Sequence, residues 1–385
     1  MGAMSLGGPV LVAPSAFKGT LAPHDAAAAL AEGVADALPG VEILTCPLAD
    51  GGDGTADVLV DHLAGERVVR TVTGPLGAPV LAAYGRLPGG VVVVDMAAAS
   101  GLALLAPGDR DAAGATSRGT GELVAAALGE TPARVLIGVG GSASSDGGGG
   151  IAQALGIRLL DAAGHPVPPG ARGLLALDRI DGSSADPRLA GVELVVACDV
   201  DNPLLGPAGA ARVFAPQKGA TPAAVRTIER GLERFAAIVA CDAGIDVGGL
   251  PRGGAAGGAA AGMHALLGAE LHEGFALVAD MLGFQGLLER SALLIVGEGS
   301  LDAQSLRGKA PVAAARRAWQ LGIPVWAFAG RVTLGRRLLA DNGIDVDVDL
   351  TELMGAQARR DPAGALRHVA SRMLRRAFDG PAGPW

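Results

Sequence analysis

Short apolar runs broken by glycine, proline and charge organise this chain. Pro9-Val-Leu-Val-Ala13 has the texture of a buried strand. Apolar positions recur at helical spacing from Pro23 to Leu38, with Thr20 or Asp25 as the expected cap. Val41–Cys46 reads as a second strand, opening into PLADGGDGT and then a helix, TADVLVDHLAG. This βαβα order predicts a parallel sheet covered by helices. From Val68 the texture changes to short alternating strands, RVVRTVTGP and VLAAYGRL, followed by VVVVDMA, which suits an antiparallel or mixed sheet. Residues 253–289 are helical and rich in Ala and Gly. The α/β rhythm then returns with SALLIVGEG, PVAAARRAWQLG, IPVWAFAG and GIDVDVDL.

The expected fold class is therefore α/β. A Rossmann-like parallel-sheet domain takes both chain ends, 1–72 and 290–385, and a second α/β mixed-sheet domain, 73–289, is inserted between them. Ligands of parallel α/β sheets bind beyond the carboxyl ends of the strands. ADGG, CDVDN, VGEG and FAG are expected at those ends.

Between a strand at Arg134–Ile137 and a helix from Ile151 lies GVGGSASSDGGGG, residues 138–150. Strand, glycine-rich turn and helix form a phosphate-binding arrangement, because glycine lets the backbone approach a ligand and a helix N-terminus offers unpaired N–H groups. The loop is not GxxxxGK[ST], and GxGxxG fails because Ala143 holds the last glycine position.

Composition narrows the function. The net charge is −8 with no basic tract, which argues against nucleic acid and an anionic membrane surface. Cys46, Cys198 and Cys241 are widely spaced, which suits a reducing compartment rather than a disulfide scaffold or zinc site. No apolar run has the length of a membrane span, and no signal peptide is visible, so the expected location is cytoplasmic. The six histidines form no metal-ligand pattern.

Only three of the 31 basic residues are lysines, Lys18, Lys218 and Lys309, and each adjoins a glycine. Lysine is a compact point charge suited to phosphate, so these are candidate anion contacts. Asp50 and Asp53 flank Gly51-Gly52, Asp199 and Asp201 precede Asn202, and Glu298 and Asp302 bracket GEGSLD. Each acidic turn taken alone reads equally as helix capping or an Asx-turn. Together they suit Mg2+ held with nucleotide phosphates, for which Asp50, Glu298 and Asp302 are the candidate ligands. Asp199, ending a strand, is the candidate acceptor of a substrate hydroxyl proton, with Asp50 and Asp302 as rivals and with Asp201 and Asn202 close enough to orient substrate or metal.

Several blocks in order resemble the bacterial type I glycerate kinases: APSAFKGTL (13–21), PLADGGDGT (47–55), MAAASGLALL (96–105), SRGTGEL (117–123), VGGSASSDGGGG (139–150), ACDVDNPLLGPAGAARVFAPQKGA (197–220), GGAAGG (253–258) and GEGSLDAQSLRGKAP (297–311). The resemblance spans roughly residues 9 to 375. Family members usually carry Asp-Ser at Ser15-Ala16, Thr-Asn at Ser144-Ser145, Tyr at Arg118 and Glu at Asp95. The first departure removes a carboxylate near Lys18. The resemblance implies phosphorylation of D-glycerate by ATP with Mg2+, commonly to 2-phosphoglycerate, with 3-phosphoglycerate as the alternative product. It also implies two α/β domains with a cleft between them. The residues read above make Asp199, Lys18 and Lys218 the catalytic candidates, and Ser15, Asp50, Asp53, Gly141, Ser142, Ser144, Asp146, Asn202 and Lys309 the candidate contacts to substrate or nucleotide. Small molecules are the expected partners, and the chain is a monomer or homodimer. Two rival readings are a two-lobed binding protein for a small acid and a nicotinamide-dependent hydroxy-acid dehydrogenase. The dehydrogenase would need GxGxxG after the first strand, where APSAFKG stands.

Overall fold

The computed structural model describes residues 6–378, apart from Lys18 and the side chain of Arg307. Its strands in chain order are β1 (Val10–Pro14), β2 (Ile43–Thr45), β3 (Glu66–Thr73), β4 (Pro79–Leu87), β5 (Val91–Asp95), β6 (Arg134–Gly138), β7 (Arg158–Leu160), β8 (Arg179–Asp181), β9 (Glu193–Ala197), β10 (Glu270–His272), β11 (Leu293–Leu301), β12 (Val325–Val332) and β13 (Val346–Asp349). Two compact units divide the chain after Asp50 and after Gly274.

The unit built from both chain ends contains a wholly parallel sheet, ordered β13-β12-β11-β1-β2. Every residue of β1 is buried, which is why VLVAP reads as a continuous apolar run rather than an alternating one. Helices Pro23–Ala37 and Pro362–Phe378 cover one face, with Leu30, Val34, Leu366 and Val369 in the shared core. They touch at Gly33, where a side-chain carbon would lie 2.6 Å from the Arg367 carbonyl oxygen. The first of these helices has no side-chain cap. Thr20 Oγ1 instead donates to the Phe17 carbonyl at 2.8 Å, and Pro23 opens the helix. Proline needs no cap for a donor it lacks, and Asp25 in the first turn complements the helix dipole.

The inserted unit, residues 51–274, is built on a mixed sheet ordered β10-β9-β6-β5-β4-β3, with a separate β7-β8 pair. β10, β9, β6 and β5 run parallel, while β4 and β3 are antiparallel. Val94, Ile137 and Val196 from the central strands pack with Leu123, Ile151 and Met263 from helices. A second core gathers around Leu232 and Phe235 of helix Pro222–Asp242.

The domain limits differ from the expected 72 and 289. Segment 51–72 belongs with the inserted unit because β3 pairs along its whole length with β4. Residues 275–289 belong with the other unit, where Phe275 packs edge-on against Phe284 and lies under the Arg317 guanidinium. A second difference concerns VGEG and FAG, expected beyond strand ends. Both lie within strands, since β11 and β12 stay paired from Leu294↔Val325 through Leu301↔Val332. Glycines on both strands permit this close pairing, since a side-chain carbon on Gly330 would sit 2.6 Å from the Gly299 carbonyl oxygen.

Candidate active site

In the inserted unit the carboxyl ends of β5, β6 and β9 lie side by side, with Asp95, Gly138 and Ala197 in register. The turn Gly51–Gly54 packs directly on them, and at its first position only glycine fits. Gly51 has φ +79°, and a side-chain carbon on it would lie 2.6 Å from the Ala197 carbonyl oxygen. The amide of Gly140 donates to the Gly51 carbonyl at 3.1 Å, so the acidic turn and the glycine loop are tied together. Asp53 is exposed at the tip of this turn.

Asp95 anchors the same turn from below. Its Oδ2 accepts from the amides of Gly54 (3.1 Å) and Ala56 (3.0 Å), the first donors of helix Thr55–His62. Its Oδ1 is buried and has no hydrogen-bond partner. Burial pushes this carboxyl up to about 7, the charges of Asp53 and Asp57 add to that, and the two amide donors oppose it.

The glycine loop wraps a buried lysine. Lys218, 3% exposed, donates from Nζ to Ser142 Oγ at 2.9 Å and to the Ser144 carbonyl at 2.6 Å. Burial lowers it to about 7, while the negative charge of Asp146 works in the opposite direction. Gly141 takes φ +72° where the chain enters the loop, and its carbonyl accepts from the Leu102 amide at 2.8 Å. The Oγ of Ser144 is buried without a partner. Asp146 turns both its oxygens inward: Oδ2 accepts from the Ser117 amide (2.8 Å), Ser117 Oγ (2.9 Å) and the Gly150 amide (3.2 Å), and Oδ1 accepts from the Gly148 amide (3.2 Å). Asp146 therefore welds SRGTG to the glycine loop.

Asp199 follows β9 by two residues, half-buried, as the strand-end expectation requires. Asn202 Nδ2 donates to the Ala208 carbonyl at 2.8 Å, and its own carbonyl accepts from the Gly254 amide at 2.9 Å. Arg252 approaches Asp201 at 3.4 Å with its backbone at φ +66°. GGAAGG then interlocks with the glycine loop. Ala256, Gly257 and Gly258 are all left-handed, and the Gly257 carbonyl accepts from the Gly147 amide at 3.1 Å.

The other unit carries a cluster of different character. Ser15 donates from both its amide (2.8 Å) and its Oγ (3.2 Å) to the Gly297 carbonyl. The neighbouring Glu298 is 5% exposed, with Oε2 at 3.7 Å from Lys309 Nζ and Oε1 buried without a partner. Burial pushes Glu298 up to about 7. Ser305 and Lys309 act against this, and the charges of Asp302 and Asp50 add to it. Lys309 stands at the N-terminus of helix Ala310–Gln320, and Asp302 Oδ1 accepts from the Gln304 amide at 2.8 Å. Lys18, the third lysine of the sequence reading, lies outside the described residues.

Among the described residues, no three His, Cys, Asp or Glu side chains form a metal cage by themselves. Mg2+ does not require one, since it takes one or two carboxylates and completes its shell with water and phosphate. A buried carboxylate oxygen without a donor, facing two further acidic charges, fits such a cation. The two buried thiols do not compete as nucleophiles or ligands, since burial pushes Cys46 and Cys198 up to about 12. Among the described residues, no helix is long and apolar enough to cross a membrane.

The sequence reading missed Asp95 as a site residue. A carboxylate closing the buried run VVVV, directly before a helix, was the available signal. Gly51, Gly140 and Ser117 were missed as well.

A model of the glycerate kinase family matches residues 10–377. A protein of Halalkalibacterium halodurans named glycerate kinase is 43% identical over 368 residues, covering 95% of this chain and 97% of that one. One of Escherichia coli K12 named glycerate 2-kinase is 40% identical, covering 87% and 88%. A crystal structure of a candidate glycerate kinase 2 from Salmonella typhimurium LT2 superposes with a TM-score of 0.83 at 40% identity, covering 95% of this chain and 97% of that one.

Proposed function

We propose that this chain, which belongs to the glycerate kinase family, transfers the γ-phosphoryl group of ATP to D-glycerate, with the 2-hydroxyl as acceptor and Mg2+ as the neutralising cation. Similarity to glycerate kinases over nearly the whole length carries the substrate assignment. The dehydrogenase and solute-binding readings fall with membership of this family.

The site chemistry supports the reading. Phosphoryl transfer asks little covalent work of the protein; positioning and charge neutralisation dominate. Lys218 brings positive charge under the glycine loop, and Ser142, Ser144 and Gly141 present the loop. Asp146 serves by holding the loop rigid. Asp199 takes the proton from the reacting hydroxyl, with Asn202 and Asp53 nearby in the same unit. Of the candidate ligands Glu298, Asp302 and Asp50, one or two would hold Mg2+, with water and phosphate completing its shell, and Lys309, Lys18 and Ser15 complete the anion contacts. Bound Mg2+ supplies charge neutralisation at the phosphates. The cytoplasm is the proposed location, in keeping with three free cysteines. The enzyme acts on small molecules, as a monomer or homodimer.

The test is ADP release with D-glycerate, run in parallel with enolase, which consumes 2-phosphoglycerate and leaves 3-phosphoglycerate untouched. Turnover that depends on D-glycerate and feeds enolase directly is expected, and a chelator should abolish it while circular dichroism stays unchanged. No release of ADP with D-glycerate would refute the reading. Release without enolase turnover would move the acceptor to the 3-hydroxyl.

A further inference from the structure

Asp95 is a buried carboxylate of the inserted unit, 5% exposed, and has no role in the chemistry above. Its position is informative. It closes β5 beside the ends of β6 and β9 and spends Oδ2 on two amides more than 35 residues away in sequence, Gly54 and Ala56. Those amides flank Thr55, where the acidic turn becomes a helix. Thr55 Oγ1 donates to the Gly52 carbonyl at 2.8 Å, closing the turn on itself. Gly138 must lack a side chain, because a carbon there would lie 2.8 Å from Asp95 Oδ1 and 3.0 Å from the Gly51 carbonyl oxygen. The turn is thus held on both sides, by the strand-end glycines and by one carboxylate oxygen. Asp53 projects from the held segment next to Gly141, where a side-chain carbon would approach Asp53 Cβ at 3.5 Å.

We propose that Asp95 is a positioning residue for phosphoryl transfer: by accepting from Gly54 and Ala56, it fixes how the acidic turn presents Asp53 beside the glycine loop. This rests on the kinase reading. Asp95 itself touches no substrate. Its Oδ1 is shut off from solvent, and its contacts are backbone. What matters is an acceptor oxygen at the right place, and asparagine supplies one in a side chain of the same shape.

The experiment compares Asp95→Ala and Asp95→Asn with the wild type. A displacement of about an ångström in a positioned group costs up to about 10²-fold. Asp95→Ala should therefore lose about that much in kcat, with KM for ATP and for D-glycerate changed by less than about threefold. Asp95→Asn should recover kcat to within about threefold of wild type. Near-normal kcat in Asp95→Ala overturns the proposal. So does Asp95→Asn as impaired as Asp95→Ala, which would assign the role to charge or proton transfer. A loss confined to KM overturns it too, because Asp95 would then act in binding. Amide hydrogen exchange on the wild type keeps the idea testable should Asp95→Ala not fold. Gly54 and Ala56 should exchange slowly, and exchange at the rate of an open turn refutes the brace. Because exchange needs no substrate, a wild type without D-glycerate turnover would strike the functional reading and leave the brace standing.

Discussion

Asp95 and Glu298 make an instructive pair. Each is a buried carboxylate, one in each unit, each is pushed up to about 7 chiefly by burial, and each has one oxygen without a hydrogen-bond partner. Their surroundings differ. Asp95 receives two main-chain amides on its other oxygen. Glu298 stands among charges, with Lys309 at 3.7 Å on one side and the repulsion of Asp302 and Asp50 on the other. A carboxylate held by amides has its geometry fixed by the fold. A carboxylate held by opposing charges has an unfilled electrostatic demand, which a divalent cation meets. The same residue chemistry is thus proposed as a brace in one unit and as the start of a cation site in the other.

The largest effect should come from neither. Asp199 is assigned the reacting proton, and general base catalysis is typically worth 10²–10⁴-fold. Asp199→Asn should lose about that in kcat with little change in ATP affinity, and excess Mg2+ should not restore it. Retention of more than about a tenth of wild-type kcat would end the assignment. Glu298→Gln should behave in the opposite way. Losing a ligand weakens metal affinity, typically by at least the 10–100-fold that even outer-shell partners command. Its activity should therefore return as Mg2+ is raised, and failure of that rescue would remove Glu298 from the cation site.

Lysines sharpen the same contrast. Lys218 is enclosed by Ser142 Oγ and the Ser144 carbonyl, whereas Lys309 is 26% exposed beside Glu298. A guanidinium is too wide for the first setting and fits the second more easily. Lys218→Arg should cost at least tenfold in kcat/KM, about 1.4 kcal/mol, and more than Lys309→Arg does. Equal, near-normal kinetics for both variants would dissolve the distinction.

These contrasts also show what a linear sequence discloses. β1, β6 and helix Pro23–Ala37 were legible because their pattern is local: a run of four or five apolar residues, or a 3.6-residue period opened by proline. The glycine loop was legible because so many glycines between a strand and a helix have few other uses. The inner work of Asp146 was not, since its partner Ser117 lies 29 residues upstream. Asp95 was illegible for the same reason, with amide partners 41 and 39 residues away. The domain limit was misplaced because an alternating strand such as β3 looks the same whichever sheet it joins; pairing with β4 decides it. Glu298 was expected in a turn, and only the continued register with β12 shows that the strand runs past it.

A test in pH separates brace from charge. The unfolded chain gives up the Asp95 proton near 3.8, while the folded chain keeps it to about 7. Between those values the folded state binds more protons, so Asp95 makes stability fall as pH rises. Lys218 has the opposite sign. Unfolded, it holds its proton to 10.5; folded, it loses it at about 7, so its contribution rises with pH over that interval. The two contributions thus have opposite signs on either side of neutrality, that of Asp95 falling up to about pH 7 and that of Lys218 rising above it. Asn at position 95 keeps the acceptor and cannot ionise, so it removes the falling limb alone. Denaturant unfolding of wild type and Asp95→Asn should therefore diverge with pH, the variant gaining roughly 1–4 kcal/mol relative to wild type between pH 5 and pH 8. Because every other carboxylate is common to both proteins, the difference isolates this one. A constant difference across that interval would mean that Asp95 is ionised throughout. The brace would then be an ion held by two amides, and the likeness to Glu298 would extend no further than burial.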